Sequence, residues 1–383
     1  MSIKDNVISY FRDTYNDDFK FIFSPGRINL IGEHTDYNEG FVFPAAIDKG
    51  IYAAIGRSST SKSTIHALDC NESYEFSVNN VDEEPVEDWR KYIVGVVAEI
   101  RKFGRQVPNF NMVFSGDIPG GSGMSSSAAL ENSLVFGLNE LFHLNISKED
   151  MIFISQRAEH NYVGVKCGIM DQYASMFGQK GKALLLDCRT VTSEPFEIDL
   201  GDYELVLINT NVKHKLSDSA YNDRRRVCEN VAKMLDVRAL RDVNESDLVC
   251  VKSKISDEDY LKALYVVQEN ARVIQASEAL KKNDLKTLGM LLFETHSGLR
   301  SQYRVSCNEL DFLVDRAKSD SEVIGARMMG GGFGGCTINL IHQNSKDSFI
   351  LETSKAYFKK FDHECSVYCV NLANGTHLEN SFG

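Results

Sequence analysis

Several common signposts are missing from this sequence. Positive charge is in deficit: 42 lysines and arginines stand against 54 aspartates and glutamates, a formal net charge of −12. That balance argues against electrostatic binding of nucleic acid. No apolar run approaches the ~18 residues of a membrane-spanning helix, and Met1-Ser2-Ile3-Lys4-Asp5 opens no apolar signal core. The 9 cysteines are scattered and the closest pair is Cys365-x-x-x-Cys369, which is neither zinc nor redox spacing. Reduced thiols and a cytoplasmic setting are expected. Proline is scarce, at 6 residues, and neither an internal repeat nor a low-complexity segment occurs. The phosphate-binding sequence Gly-x-x-x-x-Gly-Lys-Ser/Thr is also absent. What remains is ordinary globular composition, 43% hydrophobic and 25% charged over 383 residues. A chain of that length has ample core for two or three domains.

The richest stretch is residues 116–129, Gly-Asp-Ile-Pro-Gly-Gly-Ser-Gly-Met-Ser-Ser-Ser-Ala-Ala. A strand-like alternation at Phe110, Met112 and Phe114 precedes it, and helical spacing at Leu130, Leu134, Leu138 and Leu141 follows. Gly120, Gly121 and Gly123 let backbone N–H groups approach a ligand closely, while Ser125, Ser126 and Ser127 suit a helix start. The free N–H groups and dipole of that helix form an anion site. A phosphate cradle and a turn that merely caps a helix both fit. The spacing Gly121-x-Gly123-x-x-Ser126 lacks the third glycine of the dinucleotide fingerprint.

A second cluster packs Glu33, His34, Asp36 and Asn38 into six positions between apolar runs. Carboxylates accept paired hydrogen bonds from hydroxyls, and an imidazole donates or accepts. The set suits a neutral polyhydroxy ligand, and equally a solvated turn. A helix over residues 147–163, opened by Ser147 with Asp150, carries Glu159 near its end. Asp171 falls at another helix start, as a cap or as a carboxylate held there by the dipole. Trp89 opens a helix over 89–103, either as core or as the wall of an adenine pocket. Arg224, Arg225 and Arg226 read as a solvated face of a helix over 221–235. Gly330-Gly331-Gly332-Phe333-Gly334-Gly335 separates strands at 323–326 and 336–341. Such a run serves a tight backbone approach or a ligand contact.

The remaining pattern predicts a helix at 5–15 and strands at 21–23, 41–57, 63–69, 181–186 and 205–208. Loops are expected at 79–88 and 210–219, and two further helical runs at 257–318. The irregular segment 187–202, with Pro195, marks the expected boundary between domains 1–190 and 191–383.

Three stretches in this order resemble the three motifs of the GHMP small-molecule kinases. They are Pro25-Gly26-Arg27-x-Asn29-Leu30-x-Gly32-Glu33-His34-x-Asp36-Tyr37, Gly121-x-Gly123-x-Ser125-Ser126-Ser127-Ala128, and the glycine run at 330–335. The Glu-His-Thr-Asp-Tyr-Asn run at 33–38 is similar to the signature of the galactokinase branch. Gly168-Ile169-Met170-Asp171-Gln172 and Ser219-x-Tyr221-x-x-Arg224-Arg225 add to the resemblance. Two departures are Ser301-Gln302-Tyr303, where the family often has acidic residues, and Asn374-Gly375-Thr376-His377.

The resemblance implies a two-domain α+β fold with ATP and sugar in the cleft between the halves. It implies a sugar site of Glu33, His34, Thr35, Asp36, Gly168 and Tyr221. It implies an ATP-phosphate loop of Gly121, Ser122, Gly123, Met124, Ser125, Ser126 and Ser127, with magnesium on Ser127 and Glu159. Asp171 matches the family's base and Arg27 its ionic partner. The implied reaction moves the γ-phosphoryl of ATP to the anomeric hydroxyl of galactose, where positioning and charge neutralisation dominate. Arg27 either orients Asp171 or stabilises charge on the transferring group. Galactose and ATP are the expected partners, without nucleic acid or membrane, and a monomer is compatible. The alternatives are a kinase for a related sugar such as N-acetylgalactosamine and a non-catalytic sugar sensor. The complete Ser125-Ser126-Ser127 run and Asp171 favour a catalyst over the sensor.

Overall fold

The computed structural model describes residues 2–15, 18–81, 87–213 and 217–380. The first half is built on a six-stranded sheet in the order His377–Leu378, Phe19–Asn29, Pro44–Arg57, Phe110–Gly116, Ser63–Ala67, Glu72–Phe76. Neighbours are antiparallel except Ser63–Ala67, which runs parallel to Phe110–Gly116. Helices Arg90–Lys102, Ser126–Phe142, Lys148–Ala158 and Met170–Phe177 belong to this half, and Ile3–Thr14 buries Val7, Ile8 and Phe11. Helix Ser126–Phe142 is buried nearly all round. It lies flat on the sheet at Gly137, where a Cβ would come 2.5 Å from the Ile55 Cδ1 and 2.9 Å from the Ile22 Cδ1.

The second half carries a four-stranded antiparallel sheet in the order Val323–Met328, Gly334–His342, Tyr203–Lys213, Ser366–Cys369. Helices Asp257–Lys281, Leu285–Gly298, Asn308–Lys318 and Lys346–Phe361 accompany it. A small sheet of Phe41–Val42, Lys182–Asp187 and Thr192–Glu197 lies between. One apolar cluster spans both halves: Ile28, Leu30, Phe43 and Met124 pack with Leu205, Leu288, Ile338 and Leu340. Each fully buried aliphatic side chain contributes roughly 1.5–3 kcal/mol, so this shared core holds the halves in register.

The elements differ from the sequence reading at several places. Segment 187–202 contains the strand Thr192–Glu197, whose Pro195 pairs with Leu184. The strand lies at the edge of its sheet, where a proline nitrogen can face away from the one neighbouring strand. Residues 257–318 hold three helices, because the chain breaks at Asn283 with φ 53°, where Asp284 caps the next helix through the Thr287 N–H, and again after the wide turn Leu299–Tyr303, at Arg304 with φ 56°. The helix expected over 147–163 closes in one wide turn, Glu159–Val163. Strand Tyr203–Lys213 enters the expected loop 210–219, of which 214–216 lie outside the described residues, as do 82–86 of the loop 79–88. After Ser366–Cys369 the chain returns to the first half, where Leu378 pairs with Ile22. Among the described residues no helix is long and apolar enough to cross a membrane, and all nine cysteines are free thiols.

Candidate active site

The three glycine-bearing stretches meet at the junction of the halves. Strand Phe19–Asn29 slips register against its neighbour between Pro25 and Arg27, a bulge of the kind that re-aims side chains beside functional sites. At that bulge a Cβ on Gly26 would sit 2.6 Å from the Met124 carbonyl oxygen, and the Arg27 N–H donates to the same oxygen at 3.0 Å. The loop before helix Ser126–Phe142 turns through Gly121 and Gly123, with φ of 73° and 75°. The third run closes over it. A Cβ on Gly330 would lie 3.2 Å from the Gly123 oxygen, and one on Gly335 3.1 Å from the Ser122 oxygen. The Cys336 N–H donates to Ser122 at 3.1 Å. Of the two readings of that run, close backbone approach is what Gly330 and Gly335 show.

Ser125 does not cap the helix. It sits at φ 60°, ψ 60° with no side-chain cap bond, and its hydroxyl donates instead to Asp171 Oδ2 at 2.8 Å. A non-glycine residue in this left-handed region costs of order 1–3 kcal/mol, so the serine gives up a favourable cap to reach Asp171. The helix start opens on a cavity of about 300 Å³ lined by Arg27, Tyr92, Asp171 and residues 121–127 and 331–334. Trp89 is not in it. Its Nε1 donates to Glu72 at 3.0 Å and its ring stands edge-on to Phe114 at 5.5 Å, packed against the core. Tyr92, on the same helix, lines the cavity instead.

A second cavity, of about 140 Å³, shares Arg27, Ser127, Asp171 and Gly331 with the first and is otherwise lined by residues of the polar cluster and its neighbours. Where the two meet, Arg27 grips Asp171 bidentately, Nε to Oδ1 at 2.8 Å and Nη2 to Oδ2 at 2.9 Å. Its third arm donates to the Gly123 carbonyl of the loop. Burial alone would lower the Arg27 pKa, but Asp171, Glu33 and Asp36 outweigh it and raise it. Asp171 has about four lone-pair sites. Three accept bonds from Arg27 and Ser125. The remaining one is on Oδ1, and the side chain is 26% exposed.

Glu33, His34, Asp36, Gly168 and Tyr221 assemble around the second cavity, or against it. Glu33 is tied down: its Oε1 accepts from Arg327 Nη1 and from the Gly330 N–H, each at 2.9 Å. His34 is buried, and burial pushes its pKa down to about 4. Asp36 is buried beside Asp171, and the two effects in that order raise its pKa to about 7. Gly168 is not itself in the lining, but a Cβ there would lie 2.0 Å from Asp36 Oδ2, so glycine is what lets the carboxylate sit there. The Tyr221 ring lies 5.3 Å from that of His34. Thr35 faces away, its hydroxyl 2.9 and 2.6 Å from the Gly32 and Phe41 carbonyls.

Ser127 and Glu159 both line this cavity, a hydroxyl and a carboxylate on facing elements. Behind them Glu131 is fully buried against Gln172, and burial, then the charges of Glu159 and Asp171, push its carboxyl pKa well up. Among the described residues no cluster of three or more His, Cys, Asp or Glu could hold a metal by itself.

Sequence reasoning missed Arg327, Glu131 and the Ser125–Asp171 link. Arg327 is completely buried, with further donation to the Leu30, Met328 and Asn29 carbonyls. Its signal was a lone charge inside the apolar run Val-Ile-Gly-Ala-Arg-Met-Met. The triple arginine is solvated only in part: Arg226 is 70% exposed, whereas Arg224 is 11% exposed and donates to the Tyr303 and Arg304 carbonyls.

Comparison with known proteins gives one consistent picture. Residues 9–57 match the galactokinase galactose-binding signature, 91–179 the GHMP kinases N terminal domain and 276–359 the GHMP kinases C terminal domain. The chain is 42% identical over 362 residues to the galactokinase of Clostridium beijerinckii, covering 92% of this chain and 93% of that one. Against the galactokinase of Clostridium acetobutylicum it is 40% identical over 383 residues, covering 97% and 98%. The crystal structure of Lactococcus lactis galactokinase complexed with galactose superimposes with a TM-score of 0.94 at 32% identity, covering 99% of this chain and 100% of that one. Methanococcus jannaschii mevalonate kinase shares the fold, at a TM-score of 0.66 and 17% identity.

Proposed function

The chain belongs to the galactokinases of the GHMP kinase family, and we propose that its two adjoining cavities are the galactose and ATP sites of that activity. The enzyme transfers the γ-phosphoryl group of ATP to the anomeric C1 hydroxyl of D-galactose. The observation that carries the site assignment is the place where the cavities meet: Arg27, Ser127, Asp171 and Gly331 line both.

In this reading residues 1–190 supply the polar cluster and the phosphate loop, and residues 191–383 supply Tyr221 and the third glycine run. The loop N–H groups and the helix dipole hold the triphosphate. Glu33, His34 and Asp36 hold sugar hydroxyls. Asp171 takes the proton of the anomeric hydroxyl on its remaining Oδ1 lone pair, and Arg27 and Ser125 fix the carboxylate in place. Arg27 also stands over the loop through Gly123, where it stabilises charge on the transferring group.

Ser127 and Glu159 are the residues that would hold magnesium. Their hard oxygen donors suit it, and two protein ligands are in keeping with an ion that completes its shell with substrate phosphates and water. When bound, magnesium neutralises phosphate charge.

The test is an ADP-release assay over a panel of monosaccharides. Release with galactose and little with glucose is expected. A folded, ATP-binding protein that releases no ADP with galactose refutes the activity.

A further inference from the structure

We propose that Tyr37 and Tyr303 are positioning residues that fix His34 in the tautomer carrying its proton on Nε2, so that the ring donates a hydrogen bond into the sugar pocket. This rests on the reading of His34 as a sugar ligand. The groups form one buried chain. His34 Nδ1 lies 2.8 Å from the Tyr37 hydroxyl, which lies 2.7 Å from the Tyr303 hydroxyl, which lies 3.5 Å from Cys228 Sγ. His34, Tyr37, Tyr303 and Cys228 are all buried.

Each tyrosine has one proton, so the chain runs in one of two directions. In the first, Cys228 donates to Tyr303, Tyr303 to Tyr37, and Tyr37 to Nδ1, which leaves the proton of the neutral imidazole on Nε2. In the second, Nδ1–H donates to Tyr37, Tyr37 to Tyr303, and Tyr303 ends on sulfur, a weak acceptor. Two observations favour the first. The Gly331 backbone favours the protonated state of the His34 ring, as a carbonyl does and an N–H does not. Nε2 is buried without a well-formed partner among the described residues, in a side chain that lines the cavity. A bare lone pair facing a carbonyl there would be repelled, whereas an N–H is available to a ligand.

The arrangement matches a neutral polyol. Glu33 and Asp36 accept hydrogen bonds from sugar hydroxyls, and a hydroxyl that donates to one of them still needs a donor for its own oxygen. His34 Nε2–H supplies it. A pocket of acceptors alone would leave that oxygen unsatisfied, at the usual cost of a buried polar group.

The experiment reads the tautomer directly. In ¹⁵N-histidine-labelled full-length protein without sugar, at neutral pH, long-range ¹H–¹⁵N correlations distinguish a protonated from a bare ring nitrogen. His34 is assigned by the signal lost in His34→Gln. Expected is a bare Nδ1 and a protonated Nε2. In Tyr37→Phe the ring should lose that fixed pattern, and the galactose KM should rise about 10-fold while kcat changes little, the split expected of lost binding rather than lost chemistry. Tyr303→Phe should shift the same two readouts by less, since Tyr37 can still donate. A protonated Nδ1 in the unmodified protein overturns the proposal. So does a folded Tyr37→Phe that keeps a single Nε2–H tautomer and an unchanged galactose KM. Should Tyr37→Phe fail to fold, the unmodified protein still decides. Absence of turnover with galactose would instead count against the activity, and the resting tautomer would remain readable.

Discussion

Asp36 carries a charge that its buried site disfavours, and Asp36→Asn isolates the effect. Burial, and after it the neighbouring Asp171, raise its pKa from 3.8 to about 7. For an acid whose folded pKa lies above its unfolded one, the associated stability is fully present below the unfolded value and drains away as pH rises through the folded value. A shift of about 3 units, at ~1.36 kcal/mol each, corresponds to about 4 kcal/mol lost between pH 4 and pH 8. Asparagine cannot ionise, and its amide oxygen still accepts the Tyr37 N–H that Asp36 Oδ1 accepts at 2.9 Å. The ligand-free variant should therefore match the parent near pH 4 and exceed it by up to about 4 kcal/mol at pH 8. Urea denaturation across that range measures the difference. Galactose affinity should move the other way, because the amide offers one acceptor where the carboxylate offers two. A stability gain of the same size at every pH would refute the argument, since it would trace to packing rather than to the charge. No gain at pH 8 would show that water or rearrangement relieves the burial.

Asp171→Asn should lose roughly 10²–10⁴ in kcat, the range of a positioned base, while ATP still binds. Its amide must also face a donor of Arg27 or Ser125, so a modest drop in melting temperature is expected as well, and unaltered turnover at saturating galactose would remove Asp171 as the base. Glu159→Gln should raise the magnesium concentration needed for half-maximal activity. A magnesium titration that superimposes on the parent's would take Glu159 out of the metal site.

The loops that make the site were legible because their signals are local. Glycine-rich turns, a serine run and a packed polar cluster announce themselves within a dozen residues, and their order along the chain carried the family resemblance. Long-range partnerships were not legible. Ser125 reads as a cap from its neighbours, yet its partner lies 46 residues on. Arg327 reads as an oddity in an apolar strand, since its partner Glu33 is 294 residues away. Thr35 sits among sugar-site residues in sequence, but the tight turn spanning Gly32 to Gly40 directs its hydroxyl to backbone. Strand Thr192–Glu197 was hidden by Pro195, a strand breaker everywhere except at an edge.

These long-range links change how the polar cluster must be understood. Glu33 offers one oxygen, Oε1, to both Arg327 and the Gly330 N–H. Gly330 in turn packs directly on Gly123 of the phosphate loop. The carboxylate that faces the sugar cavity is thus also the clasp holding the third glycine run against the phosphate loop. Arg327 is wholly buried, and stripping a buried charge of its partner costs ~3–5 kcal/mol. Loss of function on substituting Glu33 therefore cannot be assigned to the sugar contact alone, because the same change loosens the seat of the triphosphate. Among the described residues no side-chain hydrogen bond ties Asp36 or His34 to the phosphate loop. They are the positions at which sugar recognition can be measured separately from phosphate positioning.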